Sequence, residues 1–128
     1  DPLFTINLEG KITDMNNASV KITGVSREHL TGSDFFNYFT EPQKAREVYQ
    51  EVFANGFVSD YPLTIRDGKL TDVLFNGSVY KDESGKVIGV VVFFLLSIFF
   101  YKLSRKELKP NSTNTKGNYF LFLFFEYF

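Results

Sequence analysis

His29 is the only histidine in a chain of 128 residues that contains no cysteine, so any haem iron or metal seeking an imidazole would have to use it. Its position argues for another role. Ser26 precedes Arg27-Glu28-His29-Leu30, which puts His29 third after a helix cap, where a capping box carries Glu or Gln, hence on a short exposed turn. The aspartates that could act as acids or bases, Asp14, Asp60, Asp67, Asp72 and Asp82, fall at turns or at alternate strand positions. Carboxylates in such places cap or solvate. No Ser-His-Asp order, paired-acid spacing or glycine-rich phosphate loop stands out, so no residue set nominates a reaction or a metal site. Lys and Arg number 14 against 15 Asp and Glu, a net charge of −1, which leaves no basic face for nucleic acid.

Binding is the chemistry that remains. Phe35, Phe36, Phe39, Phe53, Tyr61 and Leu63 could line a small-molecule cavity, although inward-pointing aromatics first of all fill a core, because an empty cavity costs stability. Asn76 and Ser78 share the face opposite Phe75 and Val79. They could orient a ligand if that face looks inward, and are solvated otherwise.

The elements that would position these residues follow from periodicity. Leu3 to Leu8 alternates like a half-buried strand, Glu9-Gly10 turns it, and Lys11 to Met15 returns as a hairpin partner, Gly10 supplying the positive φ of a tight turn. Asn16 or Asn17 and then Ser26 cap short helical turns, which Gly24 and Gly32 stop. Thr40-Glu-Pro-Gln matches a capping box, and Ala45, Val48, Tyr49, Val52 and Phe53 form one helical face that ends at Asn55-Gly56. From Phe57 the period is two again: Phe57, Ser59, Tyr61, Leu63 and Ile65 share a face, and Pro62 argues for an edge strand. Asp67-Gly68 marks a hairpin, Leu70 to Tyr80 the return strand, and Asp82-Glu-Ser-Gly the next turn. The apolar run from Val87 predicts a central, doubly covered strand reaching about Leu96.

This order, an α+β arrangement of a five-stranded antiparallel sheet with helices packed on one face, resembles the PAS fold. Asp1-Pro-Leu-Phe-Thr-Ile-Asn-Leu-Glu-Gly-Lys-Ile-Thr-Asp-Met-Asn is similar to the family's opening hairpin. Val20-Lys-Ile-Thr-Gly-Val-Ser-Arg-Glu-His-Leu-Thr-Gly is similar to its two-glycine helical segment, and Asp82-Glu-Ser-Gly-Lys-Val-Ile-Gly-Val to its turn into the last strand. The resemblance implies a regulatory, non-enzymatic module that gives signal input to a two-component-type protein such as a histidine kinase, either by holding a small ligand in its core or as a ligand-free homodimerisation module. Haem-binding members take their axial histidine from the longer helix, which here offers Tyr49 but no histidine, and cysteinyl-flavin chemistry needs a cysteine; the resemblance therefore points to neither cofactor and leaves the ligand unnamed.

Residues 1–96 are read as the PAS domain and 97–128 as an atypical tail. Of 16 phenylalanines, 7 lie in residues 1–92 and 9 in the last 36. Gly89 to Tyr101 is apolar except for Ser97 and is followed by Lys102, Arg105, Lys106 and Lys109; it is shorter than a typical spanning helix. Membrane association through the tail and a frame-shifted origin for it both stay open. The family's usual acidic-Ile-Thr exit into a coiled coil is missing after Val92. A cytoplasmic location is expected, since the lack of cysteine suits a reducing compartment.

Overall fold

The computed structural model describes residues 1–66 and 69–96. Strands β1 (Leu3–Asn7), β2 (Ile12–Met15), β3 (Phe57–Ile65), β4 (Thr71–Lys81) and β5 (Val87–Leu96) form one sheet in the order β2-β1-β5-β4-β3. β1 pairs antiparallel with β2 and β5, and β3 pairs antiparallel with β4. Helices α1 (Asn17–Thr23), α2 (Arg27–Leu30), a 3-10 helix (Phe35–Tyr38) and α3 (Pro42–Asn55) fill the connection between β2 and β3. The expected five-stranded antiparallel α+β sheet is what the chain forms.

Local chemistry sets these boundaries. The Asn16 side chain accepts from the Ser19 N–H and starts α1, and Ser26 does the same for the His29 N–H at α2. α3 begins one residue later than the capping-box pattern implied: Glu41 is the N-cap, with no side-chain cap bond, and Pro42 opens the helix. Thr40 is committed elsewhere, its N–H donating to the Thr64 carbonyl at 2.9 Å. Gly56 closes α3 with φ +87. Ala45, Val48, Tyr49 and Val52 are buried, the stripe that the helical period requires.

Two strand readings need correction. Phe57 and Ser59 do not share the buried side of Leu63 and Ile65, because a bulge between Val58 and Tyr61 breaks the register with β4. Asp60 takes φ +58 at this bulge, and Phe57 is 63% exposed. β5 is central but not covered on both faces: Val90, Val92 and Phe94 are buried, whereas Phe93 is 39% exposed. β3 is an edge strand, as Pro62 suggested. The Asp67-Gly68 hairpin and the readings of residues 97–128 fall outside the described residues.

Candidate functional site

The space between the helices and the sheet is filled by rings drawn from widely separated segments. Phe35, from the 3-10 helix, lies 5.5 Å from Phe4 of β1, 5.1 Å from Phe39, 6.5 Å from Phe75 of β4 and 6.2 Å from Phe94 of β5, centroid to centroid. Each of these rings is at most 1% exposed. Most pairs are edge-on or tilted, the arrangement that the aromatic quadrupole favours. Of the residues read as candidate pocket lining, Phe35, Phe36, Phe39 and Leu63 belong to this core, and Phe53 and Tyr61 pack half-buried against it. Asn76 and Ser78 are not brought to them, because the alternation of β4 gives the interior side to Phe75, whose ring is buried in the core. Ser78 is exposed. Asn76 is buried and works on the bulge: its Oδ1 accepts from the Asp60 N–H at 3.1 Å and its Nδ2 donates to the Leu74 carbonyl at 3.2 Å. Burial raises the Asp60 pKa, partly offset by the hydrogen bond with Asn76.

A second region escaped the sequence reading. A half-open cleft of about 190 Å³ separates the β1–β2 turn from the exposed side of α3. Leu8, Glu9 and Gly10 form one wall, Arg46, Gln50 and Phe53 the other, and Phe36 and Tyr49 the floor. The floor is fixed. Tyr49 donates its hydroxyl to the Asn7 carbonyl and stands 5.2 Å from the Phe36 ring and 5.0 Å from Phe53. Burial, then the charge of Glu9 and the Tyr80 phenol, push the Tyr49 pKa up to about 12, so the phenol is neutral at physiological pH. Gly10, at φ +82, lets the Phe36 ring edge lie where a Cβ would stand.

The outer face of the sheet is the third region. Leu3 is paired with Phe93 and Thr5 with Val91 across β1 and β5. Leu3 is 40% exposed, and Val91 and Leu95 of the neighbouring β5 are partly exposed. The sheet's edges, by contrast, are partly occupied. The Ile12 N–H donates to Ser33 and its carbonyl accepts from Gly32 along β2. On β3, Thr64 and Arg66 bond to Thr40 and Tyr38, and Pro62 and the bulge interrupt the rest. His29 sits exposed, its Nδ1 2.8 Å from Ser26 Oγ. Among the described residues no group of three His, Asp or Glu side chains could hold a metal, and no helix is long and apolar enough to cross a membrane.

The PAS family model, described as the PAS fold, matches residues 1–95. The chain belongs to the PAS family. No curated protein matches it. Solved structures do: a PAS domain from a two-component sensor histidine kinase (16% identity, TM-score 0.62) is matched over 73% of this chain and 82% of that one. Drosophila melanogaster Cycle PAS-B with bound ethylene glycol (12%, 0.61) is matched over 75% and 99%. The VqmA dimer of Vibrio cholerae in the absence of target DNA (19%, 0.60) is matched over 73% and 44%. At these identities the likeness is one of fold. PAS domains are regulatory modules that commonly provide signal input, and this chain has their sheet and helices.

Proposed function

We propose that this domain gives signal input to a two-component-type signalling protein by pairing its outer sheet face with that of a second copy. The observation that carries the reading is the uncharged apolar stripe of Leu3, Val91, Phe93 and Leu95 on the outer face of a sheet whose edges are partly engaged. Edge groups at Ile12 and Thr64 are already bonded, and Pro62 and the bulge interrupt β3, which disfavours strand addition and leaves the face as the better surface for association. The stripe has no charge at its centre, and a two-fold contact places the same patch against itself without like-charge repulsion. VqmA is described as a dimer, and the histidine-kinase PAS domain supplies the signalling context. Signal would then pass as a shift between two packings of the sheet, by no more than the differential affinity of the partner for each.

A second reading is favoured by the ethylene glycol bound in Cycle PAS-B. In it a small molecule occupies the interior beside Phe35, Phe36, Phe39, Phe53, Tyr61 and Leu63, and the ring cluster opens to admit it. Asn76 and Ser78 would then act from the other side of the sheet, through the bulge. Native mass spectrometry of the purified full chain separates the readings. A bare dimer supports pairing, and a copurifying small molecule supports interior binding. A bare monomer at every concentration defeats both.

A further inference from the structure

The cleft between the β1–β2 turn and α3 carries three polar side chains with no described use. Arg46 lies over the Phe36 ring, its guanidinium carbon 4.4 Å from the ring centroid. The contact is a cation–π one and uses no carboxylate, and Arg46 forms no ion pair within 4.0 Å among the described residues. Glu9 reaches the same cleft from the opposite wall. Its carboxylate is close enough to raise the Tyr49 pKa, yet it too has no described cationic partner. One positive and one negative side chain thus line the cleft without pairing with each other, and Gln50 lines it with them. Between them the lining is apolar: Leu8, itself 50% exposed, and the rings of Phe36 and Phe53.

We infer that this cleft binds a small zwitterion with an apolar body, the chemistry of a free α-amino acid such as leucine or phenylalanine. Arg46 takes the carboxylate through its fork of donors, Glu9 takes the ammonium, and Leu8, Phe36 and Phe53 bury the side chain. At about 190 Å³ the cleft is smaller than the ~300–1,000 Å³ of sites for drug-sized ligands and suits a molecule of about ten non-hydrogen atoms. A simple anion would be repelled by Glu9 and a simple cation by Arg46, so the pair selects a ligand with both charges. The floor of the cleft is anchored. Tyr49 is tied to the Asn7 carbonyl and Phe36 is packed against Gly10, so the floor between the two charged side chains is held in place. The cleft borders the ring-filled interior, sharing Phe36 and Phe53 with it, and none of its lining residues is among Leu3, Val91, Phe93 and Leu95 of the sheet face.

Isothermal titration of the full chain tests it with L-leucine, with 3-methylbutylamine, which lacks the carboxylate, and with 4-methylpentanoate, which lacks the ammonium. The expected result is saturable binding of L-leucine, with each analogue weaker by at least about tenfold, the loss of one charge-assisted contact. Arg46→Gln should abolish the preference for L-leucine over 3-methylbutylamine. Glu9→Gln should abolish the preference over 4-methylpentanoate. Both residues are exposed, and circular dichroism checks that each variant is folded. The inference is overturned if neither L-leucine nor L-phenylalanine binds saturably at millimolar concentration, or if both variants keep the wild-type order of affinities. Phe93→Lys, which addresses pairing alone, should leave the titration unchanged, so failure here is distinguishable from failure of the proposed function.

Discussion

Phe93 and Phe94 are neighbours in β5 and meet opposite surroundings. Phe94 is 1% exposed and touches the rings of Phe4, Phe35, Phe39 and Phe75. Phe93, one pleat over, is 39% exposed and is paired with Leu3 on the outer face. Residue type is the same, so the pleat alone divides their work. The inner face joins helices to sheet through rings that cannot be thinned without leaving a void. The outer face holds apolar side chains that the described residues leave partly in contact with solvent, and the proposed pairing would cover them.

The contrast is broken most directly at its inner side. Phe35→Ala removes the ring at the centre of the cluster and should lower unfolding free energy by about 3–5 kcal/mol, read by denaturant titration. A loss under about 1 kcal/mol would mean that the interior is loose enough to hold a ligand. Asn76→Ala tests the bulge, since it strands the Asp60 N–H that Asn76 accepts from. It should cost about 1–3 kcal/mol by the same titration, while Ser78→Ala on the same side of the strand should cost almost nothing.

The smallest expected effect concerns pH. Burial raises the Asp60 pKa, so folding favours its protonated form. The resulting contribution to stability is present below the ordinary carboxylate value of 3.8 and is lost as pH rises through the raised folded value. Asp60→Asn keeps a side chain tolerated at φ +58 and removes the titration. Relative to wild type, its melting temperature should therefore rise as pH is taken from below 3.8 toward neutrality. A constant difference across that range would show that Asp60 is not held in a desolvated position.

Legibility in the sequence followed the range of the interactions. The stripe on α3, the Gly56 stop, the Asn16 and Ser26 caps and the opening turn at Gly10 are written within a few residues, and all were readable. The start of α3 was displaced because Thr40 is drawn to Thr64 across the fold, a partner that no local pattern contains. The bulge at Asp60 was hidden by the alternation of Phe57 to Ile65, which predicts a regular strand; only the buried amide of Asn76 makes the irregularity affordable. In β5 every position from Val90 to Leu95 is apolar, so the sequence carries no contrast from which to read which face is open. The cleft was invisible for the opposite reason. Glu9 and Arg46 lie far apart in the chain, and each by itself reads as ordinary solvated charge.

The central claim is that the outer face of the sheet pairs with a second copy of itself. Sedimentation velocity of the full chain over a concentration series, with Phe93→Lys beside it, addresses this directly. The wild-type mass should move from 14.7 kDa toward twice that value as concentration rises, and Phe93→Lys, folded and of nearly unchanged stability, should remain at the monomer mass. A wild-type chain that stays monomeric throughout, or a Phe93→Lys chain that associates as strongly, would contradict it.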